Sequence, residues 1–250
     1  MWAIYCLSPT QLEAEIIIES TGVFTDASQA SGHLKNGGSK VIISAPATNE
    51  DITIVMGVNQ ENYDSKKHSI ISNASCTTNC VALMVKILHE NFGVEKALMS
   101  TIHAYTNDQN TLDQNHSDLR RARSANTNII PTTTGAAKAV TKVIPELSGR
   151  IDGMAYRVPV ITGSVTDLTV QLSKKTTPEK INEAYYIASN NNYKGLLDIS
   201  MEPLVSSDYI GSNYSCIIDG LSTKDLGNDF VKVVGWYDNC LLYTSDAADE

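Results

Sequence analysis

Apolar residues recur along this chain at two different periods. Ala14-Glu15-Ile16-Ile17-Ile18 is a compact run that leads into Ser20-Thr21-Gly22, which predicts a buried parallel strand opening onto a turn. Thr25 and Asp26 are capping residues for a helix that runs to Gly37-Gly38. Residues 40–45, 52–57 and 68–72 read as further strands, and this succession is half of a doubly wound nucleotide-binding unit. Val81, Leu83, Met84, Ile87 and Leu88 then recur with helical spacing up to Phe92-Gly93, so a helix begins at or near Cys76. Residues 97–102 form a strand-like segment that ends at His103.

Farther on, the alternation becomes cleaner. Leu168, Val170 and Leu172 fall on one face of a strand, with Asp167, Thr169 and Gln171 on the other. Such a strand belongs to an antiparallel sheet packed on helices. Thr177 and Pro178 are a cap and a first-turn proline for a helix through about Ser189. Residues 106–131 are polar and without periodicity, and a loop that long inside a compact domain is usually functional.

Composition narrows the class. At 250 residues the chain has room for one or two domains with a sizeable core. Its 28 acidic against 19 basic residues give a net charge of −9, which disfavours nonspecific nucleic-acid binding. The cluster Arg120-Arg121-Ala122-Arg123 is either a local phosphate-binding patch or a solvated loop. Five cysteines without a framework of paired spacings suit a reducing compartment, and Cys76 with Cys80 lacks the second ligand pair that zinc requires. No apolar run approaches membrane-spanning length, so a cytoplasmic protein is expected.

Chemistry concentrates at Ser75-Cys76-Thr77-Thr78-Asn79-Cys80. A cysteine at a helix start meets unpaired amides and the positive end of the macrodipole, which favour a thiolate. His103, at a strand tip, is a partner for a thiolate–imidazolium nucleophile. Taken singly, each residue has an ordinary structural explanation: core cysteine, partly buried histidine, helix-capping serine and threonine.

The longer string Ser72-Asn73-Ala74-Ser75-Cys76-Thr77-Thr78-Asn79-Cys80 resembles the active-site signature of phosphorylating glyceraldehyde-3-phosphate dehydrogenases of the bacterial type. The resemblance runs from about Glu13 to Asn239. It includes Glu19-Ser20-Thr21-Gly22-Val23-Phe24-Thr25, Lys40-Val41-Ile42-Ile43-Ser44-Ala45-Pro46 and Met56-Gly57-Val58-Asn59. It continues through His103-Ala104-Tyr105-Thr106-Asn107-Asp108-Gln109, Pro131-Thr132-Thr133-Thr134-Gly135-Ala136-Ala137-Lys138, Arg157-Val158-Pro159 and Trp236-Tyr237-Asp238-Asn239.

What the resemblance implies is an α/β chain: a partial Rossmann-type NAD-binding domain over residues 1–75, then an α+β catalytic domain over 76–238 with a mainly antiparallel or mixed sheet. Residues 239–250 would be a tail unlike the family's closing helix. The implied reaction is oxidation and phosphorylation of D-glyceraldehyde 3-phosphate by inorganic phosphate, with NAD or NADP, through a cysteine hemithioacetal and thioester. Cys76 and His103 would be catalytic. Thr106 and Arg157 would hold the substrate's phosphate, and Ser75, Thr77, Thr134 and Gly135 the attacking phosphate. Thr21, Gly22, Phe24, Ser44 and Asn239 would contact the cofactor, no metal is implied, and the family assembles as homotetramers. Loop 106–131 resembles the segment that packs on a neighbouring subunit's cofactor site.

Two departures accompany the match. The chain has no Gly-x-Gly-x-x-Gly, with which the family opens, and residues 240–250 do not follow the family pattern. Incompleteness at both ends is expected, with weak activity of the chain itself, and the alternative is a noncatalytic fragment. A relative acting on erythrose 4-phosphate shares the Cys-Thr-Thr-Asn-Cys string but not the residues after His103. Gln114-Asn115 matches neither the NAD-specific nor the dual-specificity pattern of the family.

Overall fold

The computed structural model describes residues 14–241; residues 1–13, with Cys6, and the tail beyond Leu241 lie outside the described residues. Two sheets carry the architecture. The first is parallel and four-stranded, made of β1 (Ile16–Glu19), β2 (Lys40–Ile43), β3 (Ile52–Thr53) and β4 (Ile70–Ser72) in the order β1-β2-β4-β3. Because its strands run the same way, the turns after β1, β2 and β4 all lie at one edge. Ligands of doubly wound sheets bind at that carboxyl edge.

Three expectations for this half are corrected. The β1 run is not a buried strand: among the described strands it pairs only with β2, and Ile16 and Ile18 are more than half exposed. The helix expected from Asp26 to Gly37-Gly38 is two short ones, α1 (Ala27–Ala30) and α2 (Gly32–Lys35), joined at Ser31. Asp26 does cap the first, accepting from the Ser28 amide. The strand expected over residues 52–57 stops at Thr53, and Asn59 takes over its backbone bonds. The Asn59 side chain accepts from the Val55 amide and donates to the Thr53 carbonyl, each at 2.9 Å.

The second sheet is eight-stranded and mixed. Its main path runs β6 (Ile130–Thr133), β7 (Ile151–Val158), β5 (Val94–Ala104), β8 (Ser164–Leu172), β12 (Phe230–Tyr237), β10 (Cys216–Asp219) and β9 (Leu197–Ser200), while β11 (Lys224–Leu226) pairs with β12. β5 runs parallel to β7 and β9 parallel to β10; the other pairings are antiparallel. In β8 the expected alternation holds throughout, with Leu168, Val170 and Leu172 buried and Asp167, Thr169 and Gln171 half-buried.

Helix α3 (Cys76–Phe92) packs against β8, β10 and β12, with α4 (Ala136–Val143) and α5 (Pro178–Asn190) beside it. Enclosed this way, it buries every residue from Cys76 through Val85, then Ile87 and Leu88. Each large side chain so buried contributes about 1.5–3 kcal/mol relative to exposure. Val55 and Val58, from the first half, join the same core. A separate, smaller cluster of Ala27, Ala30, Val41, Ile43, Ala47 and Ile70 underlies the parallel sheet. Thr177 accepts from the Lys180 amide and Pro178 opens α5, as the sequence predicts. The long polar segment between β5 and β6 forms neither helix nor strand.

Candidate active site

The turn from β4 into α3 is set by a chain of local polar bonds. Ser72 Oγ donates to the Ala45 carbonyl at 2.8 Å and accepts from the Ala74 amide at 3.1 Å. Ala74 adopts φ +60, a left-handed conformation that costs a non-glycine residue about 1–2 kcal/mol. Asn79 offsets this strain by donating its side-chain amide to the carbonyls of Asn73 and Ser75, each at 3.0 Å. Ser75 then caps the helix, its Oγ accepting from the Thr78 amide at 3.0 Å. Cys76 is therefore the first helical residue, where backbone amides lack intrahelical partners.

His103 reaches the same point from β5, directly beside Arg157 on β7. Its Nε2 lies 3.2 Å from Cys76 Sγ, and both side chains are nearly inaccessible to solvent. On the far side of the ring, Nδ1 lies 2.6 Å from the Ala104 carbonyl. Nδ1 is flanked by that carbonyl and by Arg157 Nη1; in the tautomer that donates Nδ1–H to the carbonyl, the Nε2 lone pair faces the thiol and the imidazole is arranged as a base. Arg157 Nη1 donates to the same carbonyl at 3.0 Å and touches Nδ1.

Burial, and then the Arg157 charge, push the His103 pKa down to about 3, against the weaker pull of the Ala104 carbonyl. Both causes disfavour a protonated ring.

The two side chains face a cavity of about 200 Å³. Ser75, Cys76 and Thr77 line it from the start of α3, and Thr134, Gly135 and Ala136 from the start of α4. Two helix N-termini converge on this cavity, and both present amides and the positive ends of their dipoles, the features that favour an anion. Arg157, Thr101, Thr133, Ala155 and Pro46 complete the wall. Thr134 Oγ1 accepts from the Ala136 amide at 3.2 Å, and Arg157 Nε is buried without a partner, a donor left for a ligand. Larger grooves, of about 860 and 750 Å³, run past Leu98, Arg150 and Phe230 and past Glu179, Asp198 and Met201, and neither holds a thiol or an imidazole.

Seven of the expected residues thus meet in one cavity: Ser75, Cys76, Thr77, His103, Thr134, Gly135 and Arg157. Thr106 does not line it; its amide and hydroxyl donate to Gln109 Oε1 at 3.0 and 3.3 Å. Thr21, Gly22, Phe24 and Ser44 stand at the carboxyl ends of β1 and β2, and Pro46 carries that edge into the cavity wall. Asn239 is buried just beyond β12. Its Oδ1 accepts from Ser164 Oγ at 2.7 Å, and Ser164 Oγ accepts from the Ala104 amide at 3.1 Å, which ties Asn239 to the backbone beside His103.

One neighbour of the site escapes the sequence reading. Tyr237 is fully buried, with its hydroxyl 2.8 Å from those of both Thr77 and Thr101 and its ring edge-on to His103. Arg121, in the basic cluster, folds onto Thr132 Oγ1 at 2.8 Å and pairs with Asp108. Among the described residues no cluster of His, Cys, Asp and Glu is arranged to hold a metal, and no helix is long and apolar enough to cross a membrane.

Residues 75–239 match the family model described as the glyceraldehyde 3-phosphate dehydrogenase C-terminal domain. The chain is 56% identical over 239 residues to glyceraldehyde-3-phosphate dehydrogenase of Geobacillus stearothermophilus, covering 96% of this chain and 71% of that protein. It is 55% identical over 238 residues to glyceraldehyde-3-phosphate dehydrogenase 1 of Streptomyces avermitilis, covering 95% and 71%. Against glyceraldehyde-3-phosphate dehydrogenase 1 of Bacillus subtilis it is 52% identical over 235 residues, covering 94% and 70%. With a matching family model over its second sheet and relatives of this identity over nearly its whole length, the chain belongs to the glyceraldehyde-3-phosphate dehydrogenase family.

Proposed function

We propose that this pocket oxidises and phosphorylates D-glyceraldehyde 3-phosphate, giving 1,3-bisphosphoglycerate, with residues 76–238 as the catalytic domain. The observation that carries the reading is the 3.2 Å contact of Cys76 Sγ with His103 Nε2 in a cavity between two helix starts. Nε2 takes the thiol proton as sulfur attacks the aldehyde carbon. The proton passes to the developing alkoxide, toward which the Cys76 amide also donates, and a hemithioacetal results. His103 takes the hydroxyl proton back as the hemithioacetal is oxidised to a thioester. Phosphate held by Ser75, Thr77, Thr134 and Gly135 then attacks the thioester carbonyl and releases the Cys76 thiolate. Arg157, with Thr106, holds the substrate's own phosphate, and the unpartnered Arg157 Nε supports that role.

NAD or NADP supplies the hydride acceptor when bound. Residues present at the carboxyl edge fit a dinucleotide: Thr21, Gly22 and Phe24 are accessible at the end of β1, with Ser44 next to them at the end of β2. Asn239 completes the cofactor side in this reading. Assembly as a cytoplasmic homotetramer is part of the proposal, supported by the exposed Leu112, Leu119 and Ile129 in and beside the long loop.

Following phosphate-dependent NADH formation from D-glyceraldehyde 3-phosphate tests the reading. Reduction that requires both inorganic phosphate and Cys76 is expected. Reduction unchanged in Cys76→Ser contradicts it.

A further inference from the structure

Away from the thiol pocket, a carboxylate is buried at the carboxyl end of β1. Glu19 is only 4% exposed, yet its oxygens are fully engaged. Oε1 accepts from the Thr21 amide at 2.9 Å and from the Thr21 hydroxyl at 2.5 Å. Oε2 faces His33 Nε2, on α2, at 2.8 Å. Thr21 Oγ1 in turn accepts from the Val23 amide at 3.1 Å, and Phe24 packs edge-on against the His33 ring with centroids 6.3 Å apart. Gly22 supplies the reversal with φ +71.

This arrangement has a direction. Thr21 and Val23 turn backbone donors inward toward one carboxylate, directly or through one hydroxyl. The outer surface of the turn stays accessible, with Val23 66% and Phe24 40% exposed. A carboxylate at this depth is costly unless it is hydrogen-bonded. Burial pushes the Glu19 pKa up, but the bonds from Thr21 and His33 outweigh it and hold the group below the usual range. A flexible turn would have to be ordered on binding; one fixed beforehand avoids that cost.

We infer that Glu19 and His33 are positioning residues for the dinucleotide: Glu19 holds residues 20–24 in the shape that receives it, and His33 holds Glu19. The inference rests on reading Thr21, Gly22 and Phe24 as cofactor contacts. Neither residue needs to touch the ligand. His33 contributes an N–H donor, and its 30% exposed side chain makes it replaceable without opening the core.

The test uses the full chain with four sequences: unsubstituted, Glu19→Gln, His33→Leu and His33→Gln. Hydrogen exchange at the Thr21 and Val23 amides and NAD binding by calorimetry are measured, with Cys76 alkylation as the reference for the other site. His33→Leu is expected to speed exchange at both amides about tenfold and weaken NAD binding several-fold, the scale of one lost charge-assisted bond. Glu19→Gln does the same or more. His33→Gln, which keeps a donor, stays within about twofold of the original, and the Cys76 alkylation rate does not move in any variant.

Equal behaviour of His33→Leu and His33→Gln, or unchanged exchange in Glu19→Gln, overturns the positioning role. A general structural defect is recognised by a parallel change at Cys76 and also counts against it. If NAD leaves Thr21 and Val23 exchange unaltered in the unsubstituted chain, the cofactor reading of the turn itself falls.

Discussion

The thiol pocket and the cofactor-side turn are held by different forces. Around Cys76, α3 is sunk into an apolar core over more than half its length, and His103 arrives on a central strand paired on both sides. Around Thr21, the supporting strand exposes Ile16 and Ile18, the nearby core is six small or medium side chains, and the turn depends on hydrogen bonds to Glu19. Packing fixes the reacting atoms, where a small displacement would be costly to chemistry. Polar ties fix the turn after β1, whose outer surface stays accessible. The comparison teaches that the same chain spends apolar area on one site and a single buried carboxylate on the other.

The largest effect is expected from changing the base of the pocket. His103→Asn removes the base, and it should lower turnover by roughly two to four orders of magnitude, the usual scale of a lost acid–base group. NAD affinity, which the proposal assigns mainly to the turn after β1, should stay within about twofold in the same variant. A matching loss of NAD affinity would break the separation between the two regions.

Core truncation comes next. Leu168 is fully buried beneath α3, so Leu168→Ala should lower unfolding free energy by about 2–5 kcal/mol. Ile18, of the same chemistry but half exposed on β1, should lose no more than about 0.5 kcal/mol on change to Ala. Chemical denaturation of both variants checks this. Comparable losses would mean that the two regions are packed alike.

A smaller effect concerns acid. His103 has its pKa pushed down to about 3 in the folded chain from an ordinary 6.5, so the unfolded chain binds the proton first. The sign follows: the stability tied to this residue is intact above about pH 6.5 and is lost as pH falls through the interval toward 3. Lowering the pH from about 6.5 to about 5 should cost the original chain about 2 kcal/mol through this group, and His103→Asn should flatten that part of the slope. Denaturation midpoints at the two pH values decide it, and identical slopes would contradict a depressed His103 pKa.

Local rules made much of this legible. Ser75, Thr177 and Pro178 mark helix starts because capping depends only on near neighbours, and the alternation in β8 reports a sheet with one buried face. The pairing of Cys76 with His103 was legible because a helix start and a strand end each have a sequence signal. What was hidden is nonlocal. Whether Ile16 and Ile18 are covered depends on a neighbouring element, not on their own pattern. Tyr237 meets Thr77 and Thr101 from far along the chain, with no spacing to announce it. The downward shift of the His103 pKa follows from depth and from Arg157 on the adjacent strand, and neither is visible in residue order.

The central claim is that Cys76 is activated by its place at the start of α3 and by His103. Limiting iodoacetamide on the folded chain, followed by peptide mapping, tests it directly. Access alone favours Cys240, the exposed thiol among the described cysteines, while Cys80 and Cys216 are as deeply buried as Cys76. The account predicts that Cys76 is labelled first despite its burial, because its cavity presents both a base and helix-start amides. First labelling at Cys240, Cys80 or Cys216 would contradict it.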